Sequence, residues 1–129
     1  MAGFDSDVLF TYIKSKMNKQ YPKCTVDRYK VPKESQMPYL DYNVEDRAGV
    51  GYSLSGSESG QNPLISLNVY CNGTNADSIC EQISLLAKEN MLAKNFKCKF
   101  GPAKVNSTSS DISRWVARYQ RIVCNGDEF

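Results

Sequence analysis

Two segments with alternating side chains, separated by a stretch rich in glycine and serine, constrain the fold more than any other feature. Residues 38–45 (PYLDYNVE) and 65–71 (ISLNVYC) each alternate apolar with more polar side chains. Because successive side chains of a strand point to opposite faces of a sheet, each segment predicts a strand with one dry face. Residues 47–62 contain four glycines and four serines. The pattern predicts an antiparallel β-hairpin with a long, mobile loop at about 47–62.

Two amphipathic helices flank this hairpin in the sequence. Leu9, Ile13 and Met17 recur at helical spacing, which predicts a helix over about 5–19 with Asp5 or Ser6 as its N-cap. A second apolar stripe predicts a helix over about 75–93. Its members are Ile79, Cys80, Ile83, Leu86, Ala87 and Met91.

Three further strands complete the predicted sheet. Residues 24–31 (CTVDRYKV) and 111–124 (DISRWVARYQRIVC) are rich in β-branched and aromatic side chains, which favour strands. Residues 96–100 form a short strand that ends at Gly101-Pro102, and the proline places it at a sheet edge.

The element order is therefore α-β-β-β-α-β-β. We predict an α+β fold in which two helices pack on one face of a mainly antiparallel sheet. The chain is expected to form a single domain over 1–129, with a short flexible tail at 125–129.

Composition and motifs indicate no catalytic chemistry. The 16 basic and 14 acidic residues give a formal charge of +2, and the chain contains no histidine. Histidine-dependent catalysis and histidine metal sites are therefore excluded. Successive cysteine spacings of 47, 9, 18 and 26 residues lack the pairing of a zinc site, so we expect reduced thiols, no metal and no cofactor. The sequence predicts that the protein is not an enzyme.

The segment 47–62 does not form a phosphate-binding loop in the usual order, because it lacks the lysine that follows the glycines in such loops. No apolar run approaches the ~20 residues that span a bilayer. We therefore expect a soluble protein with no membrane partner.

The last strand, 111–124, carries an unusual mixture of side chains. One face has Trp115, Ala117, Tyr119, Arg121 and Val123, and the other has Ile112, Arg114, Val116, Arg118, Gln120, Ile122 and Cys124. We expect the face with Trp115 and Tyr119 to pack against the helices. Two helices can cover only one face of the sheet, so the aliphatic side chains between arginines on the other face indicate a contact with another subunit.

Two other interpretations of this strand remain open. Arginine stems can lie over aliphatic neighbours on a solvated sheet face, without any partner. Alternatively, basic and aromatic side chains can form a stacking platform for single-stranded nucleic acid. In the subunit-contact interpretation the interface residues are Arg114, Val116, Arg118 and Ile122 of the strand and Val50, Tyr52 and Leu54 of the loop. The three loop residues are expected to become ordered against a neighbouring subunit or another assembly partner.

The size, the element order and the RWVARYQRIV-type last strand (114–123) resemble the tail terminator and tail-to-head joining proteins of tailed bacteriophages and phage-tail-like particles. The resemblance covers about residues 4–124. It implies a ring, typically a hexamer, that terminates the tail tube and joins it to the neck. The implied partners are other copies of the chain, the tail tube protein, the neck or head-tail connector protein and, in a contractile tail, the sheath. The family implies a location in the tail-neck region of a virion assembled in the host cytoplasm, with DNA only passing through the ring.

Overall fold

The computed structural model describes residues 6–28, 33–50, 60–106 and 111–124. Within these ranges the helices are α1 (Ser6–Gln20) and α2 (Ala76–Ala93), with a short 3-10 helix at Glu34–Gln36. The strands are β1 (Thr25–Asp27), β2 (Tyr39–Val50), β3 (Gly60–Asn72), β4 (Lys97–Val105), β5 (Ile112–Gln120) and β6 (Val123–Cys124). The predicted α+β class and element order are confirmed, with β6 continuing the last predicted strand.

The strands form one sheet in the order β1-β2-β3-β5-β4. All pairs are antiparallel except β1 with β2, which run parallel. The connection from β3 through α2 passes over β5 to reach β4, so β4 lies at the edge of the sheet, as its proline predicts. The other edge is β1, which is shorter than predicted, and residues 29–31 of the predicted strand lie outside the described residues.

Both helices pack on the same face of the sheet, here called the inner face; the opposite face is the outer face. The buried residues that α1 contributes are Leu9, Ile13 and Met17, as their spacing predicts. They meet the inner side chains of β2 and β3, which are Leu40, Tyr42, Ile65, Leu67, Val69 and Cys71. Ala117 and Tyr119 of β5 are buried in the same core, and Trp115 packs against it. The predicted inward orientation of Trp115 and Tyr119 is therefore confirmed.

The β2–β3 hairpin is longer than the sequence predicts. Cross-strand pairing continues to Val50 and Gly60, so the prediction of a loop over 47–62 is wrong at both ends, and 51–59 lie outside the described residues. Backbone hydrogen bonds in a ladder do not require apolar side chains, which is why the low hydrophobicity of this stretch was misleading. A β-bulge at Glu45 separates the pair Val44–Ile65 from the pair Asp46–Leu64.

The strand β4 also continues past its predicted end. Pairing with β5 persists to Val105, with two shifts of register around Phe100. Gly101 adopts a φ of 74°, a conformation open to glycine, and the irregular ladder accommodates Pro102 at the edge. The prediction that Gly101-Pro102 ends the strand is therefore wrong.

The last strand is interrupted at Arg121 and Ile122. The register of β5 and β6 on β3 is continuous, and it places these two residues opposite Pro63 and Asn62. Proline has no N–H to donate to a ladder, which accounts for a break at this point.

Candidate subunit interface

The outer face of the sheet carries three of the predicted interface residues side by side. Arg114, Val116 and Arg118 occupy alternate positions of β5, opposite Tyr70, Asn68 and Ser66 of β3. Val50 ends β2, but its side chain, like Tyr52 and Leu54, lies outside the described residues. The structure therefore brings together three of the four predicted strand residues, and the loop half stays a prediction.

Arg114 is held by contacts within the subunit. Its Nη2 donates a hydrogen bond to Asn68 Oδ1 at 3.0 Å, and its guanidinium lies 5.7 Å from the centre of the Tyr70 ring. Burial raises the pKa of the Tyr70 phenol, and the positive charge of Arg114 opposes that shift. The Arg114 Nε atom is buried and has no hydrogen-bond partner among the described residues. Since a buried donor without a partner is costly, this side chain has hydrogen-bonding capacity that the described part of the subunit does not use.

Val116 does not need a partner to be shielded from water. Its side chain is only 4% exposed, although α1 and α2 both pack on the inner face. The neighbouring Ser66 and Asn68 are also buried, and Asn68 Nδ2 donates to Ser66 Oγ at 3.1 Å. Val116 therefore offers almost no apolar surface to another subunit, and its place in the predicted interface stays a prediction. Its burial is compatible with the alternative in which arginine stems lie over aliphatic neighbours.

Arg118 lies in a partly exposed region of the outer face. Its Nε donates to Glu45 Oε2 at 3.3 Å, and its guanidinium lies 5.3 Å from the centre of the Phe100 ring. All three side chains are partly exposed, and Phe100 is 43% exposed. A pair so exposed to water adds no more than about 1 kcal/mol to the stability of the subunit. The cluster of Arg118, Glu45 and Phe100, here called the Arg118 cluster, is therefore available for recognition.

Ile122 lies apart from the Arg118 cluster. It follows the end of β5, is 55% exposed, and lines an open cleft with Lys97 and Arg121. The strand half of the predicted interface is thus divided between two surfaces, one on the sheet face and one beyond its end.

The two partners of Arg118 in the cluster, Glu45 and Phe100, were not predicted as interface residues. Glu45 lies 73 positions from Arg118 in sequence, and the bulge on β2 places it beside the arginine. Phe100 comes opposite Arg118 through the register of β4 on β5. Charge and aromatic character were visible in the sequence, but the pairing depends on strand order and register, which periodicity does not determine.

The described residues offer no cluster of metal ligands. Within 6–28, 33–50, 60–106 and 111–124, no group of three or more Cys, Asp and Glu is placed to hold a metal ion. No described helix is long and apolar enough to cross a membrane. Cys24, Cys71 and Cys80 are buried free thiols, and Cys98 is partly exposed.

Burial makes Cys24 a poor nucleophile, which gives a testable pH dependence. Desolvation, with a smaller contribution from the charge of Cys71, raises the pKa of Cys24 from 9.0 to about 12. Only the thiolate reacts readily with alkylating reagents, so at pH 8 we expect maleimide to modify Cys98 and to leave Cys24 intact until the protein unfolds. Since the fold favours the neutral thiol, its contribution to stability is present below pH 9 and is lost as the pH rises towards 12. Peptide mass mapping checks the labelling, and equal rates at Cys24 and Cys98 would contradict it.

Comparison with solved structures finds several that are similar to this chain. The chain is similar to a solved structure described as "Structure of bacteriophage SPP1 gp17 protein", with a TM-score of 0.49 and 15% sequence identity. The match covers 96% of this chain and 94% of that chain. No protein-family model matches the sequence, and no curated protein matches it.

Proposed function

We propose that this chain is a structural protein of a bacteriophage-type tail, in which copies form a ring, typically a hexamer, that terminates the tail tube and joins it to the neck. The size, the element order and the last strand support the proposal through their resemblance to that family. The observation that carries it furthest is the Arg118 cluster, because it exposes Phe100 and a guanidinium-carboxylate pair on the sheet face opposite α1 and α2. Its partners would be other copies, the tube protein, the neck protein and, in a contractile tail, the sheath.

The Arg118 cluster has the chemistry of a protein-protein contact. Arginine and aromatic side chains are enriched at such interfaces, and a guanidinium forms directed bonds with carboxylates. The Phe100 ring and the Glu45 carboxylate already restrain the Arg118 side chain. Less side-chain entropy is therefore lost when a partner docks. The cluster includes Phe100 of the edge strand β4. A neighbouring subunit can approach this edge without meeting α1 or α2.

The alternative function, binding of single-stranded nucleic acid by the last strand, is less well supported. Such platforms need exposed aromatic rings on which bases stack. Tyr119 is fully buried, and Trp115 packs against the core on the inner face. On the outer face, the rings of Tyr70 and Phe100 are already in contact with Arg114 and Arg118.

Electron microscopy of the purified protein, alone and mixed with tail tubes, tests the proposed function. A contact between two different surfaces, repeated about an axis, closes into a ring. We expect closed rings at high concentration and single caps at one end of each tube. Open filaments, or binding along the whole length of the tube, would contradict the proposal. A mass measurement in solution across a dilution series gives the number of copies independently.

A further inference from the structure

Lysine is concentrated in two segments of the chain that contain no acidic residue. Residues 8–26 and 90–106 each carry four lysines and neither aspartate nor glutamate. Together they hold half of the 16 basic residues of a chain whose formal charge is only +2. The first segment covers most of α1, and the second begins in the last turn of α2. The positive charge is therefore concentrated locally, which is typical of an electrostatic binding surface.

The two segments meet where α1 packs against α2. A groove between the helices, with a volume of about 500 Å³, is lined by Lys16, Lys19, Gln20, Leu86 and Asn90. The Tyr12 hydroxyl donates to the carbonyl oxygen of Asn90 at 3.4 Å and so connects the two helices. The ammonium groups of Lys94 and Lys16 lie 4.3 Å and 5.8 Å from the centre of the Tyr12 ring. This surface, with Lys94 beside it, is here called the lysine groove.

The lysines of the groove have no anionic partner in the part of the chain that the structure describes. Lys16, Lys19 and Lys94 form no ion pair with any described residue. No acidic side chain is among the described residues that line the groove. Glu89, next to Asn90 in the sequence, is exposed but does not line it. Three positive charges without a paired carboxylate attract an anionic ligand.

We propose that the lysine groove binds the phosphate backbone of double-stranded DNA without reading its sequence. Ammonium groups on flexible stems suit a row of phosphates, which presents negative charge at regular intervals and requires no bidentate geometry. The Gln20 carboxamide supplies a further hydrogen-bond donor beside the lysines. This inference goes beyond the proposed function, in which DNA only passes through the ring, and does not depend on it.

The composition of the groove favours a DNA duplex over a protein or a single strand. Lysine is depleted at protein-protein interfaces, where arginine and aromatic side chains are enriched, and no arginine is among the described residues that line the groove. Single strands bind through open aromatic faces on which bases stack. The Tyr12 ring is already in contact with two ammonium groups. The backbone of a duplex requires neither feature, since it is bound through its charge.

Fluorescence anisotropy of a short fluorescein-labelled DNA duplex tests the inference. The variant K16Q/K19Q removes two positive charges from the groove, and glutamine keeps a similar helix propensity. We expect about tenfold weaker binding at low salt. The slope of log K against log salt concentration should become smaller in magnitude by about 2. K97Q/K99Q, with the same charge change at two exposed lysines of β4, is the matched control and should keep the slope of wild type.

Three results in this assay would overturn the inference. Equal losses in the two variants would show that binding follows the net charge of the protein and not the groove. Tighter binding of a single strand of the same length, or unequal binding of two duplexes of unrelated sequence, would contradict recognition of a duplex backbone. If wild type binds labelled polyglutamate but no duplex, and K16Q/K19Q loses that binding, the groove serves an acidic protein segment.

Electron microscopy of wild type and K16Q/K19Q separates this inference from the proposed function. If wild type forms rings on tail tubes but binds no duplex, the inference is wrong and the proposed function stands. Duplex binding that depends on Lys16 and Lys19, in a protein that forms no ring, would support the inference and contradict the proposed function. Rings of K16Q/K19Q that match those of wild type, together with weaker duplex binding, would support both.

Discussion

The double variant E45R/R118E is expected to keep the subunit folded and to lose assembly. The exchange preserves an ion pair between the two positions, whose side chains now lie 3.3 Å apart, and both are partly exposed. Stability should therefore change by less than about 1 kcal/mol. A partner that recognises the Arg118 cluster meets reversed charges, and each such mismatch costs several kcal/mol. We expect at least about a hundredfold weaker assembly, measured by sedimentation across a concentration series.

The matched control exchanges another ion pair away from the outer face. Asp7 and Arg28 lie 2.5 Å apart and connect α1 with the residue after β1. The variant D7R/R28D should assemble like wild type. Normal assembly of E45R/R118E would show that the Arg118 cluster takes no part in subunit contact, and Arg114 would then be the next residue to test.

Replacing Gly101 with alanine is expected to lower the free energy of unfolding by about 3 kcal/mol or more. A Cβ atom at Gly101 would collide with the carbonyl oxygen of Val116 and lie 2.9 Å from the backbone nitrogen of Ala103. Both are backbone atoms of paired strands and cannot turn aside as a side chain can. The φ of 74° adds the strain of a left-handed conformation.

Gly73 supplies the comparison for this variant. Its φ is 94°, but no atom lies within 4 Å of the position that a Cβ would occupy. Gly73→Ala should therefore lower the free energy of unfolding only by the cost of the left-handed backbone conformation, about 1–2 kcal/mol. Denaturant unfolding measures both free energies. Equal losses in the two variants would mean that the β4–β5 ladder moves to accommodate the methyl group.

The spacing of apolar side chains along the sequence was sufficient to predict much of the fold. The spacing of Leu9, Ile13 and Met17 identified the buried stripe of α1, and the parity of Trp115 and Tyr119 identified the inner face of β5. These features depend only on how side-chain directions repeat along a helix or a strand, and a short stretch of sequence is enough to show that repeat. The position of β5 between β3 and β4 depends on contacts between distant segments, and nothing in the local pattern specifies it.

The candidate site could be predicted only in part for the same reason. Arginines on the outer face were identified from the alternation of β5, but the burial of Val116 depends on tertiary packing, which the alternation does not specify. The bulge that brings Glu45 next to Arg118 is a local irregularity without a sequence signal. The open cleft beside Ile122 was not predicted, because Lys97 and Arg121 meet only when β4 and β5 pair.

The β4 edge of the sheet has a consequence for how reversible an assembly through the Arg118 cluster is. The ladder of β4 shifts register twice, and the strand contains a proline. An irregular edge gives an incoming strand few aligned backbone groups to bond. Association along this edge would then rely on side chains, above all on charged ones such as Arg118 and Lys97. Contacts of that kind weaken as salt screens the charges. Subunits of this protein should therefore separate in concentrated salt while still folded, and reassemble when the salt is removed.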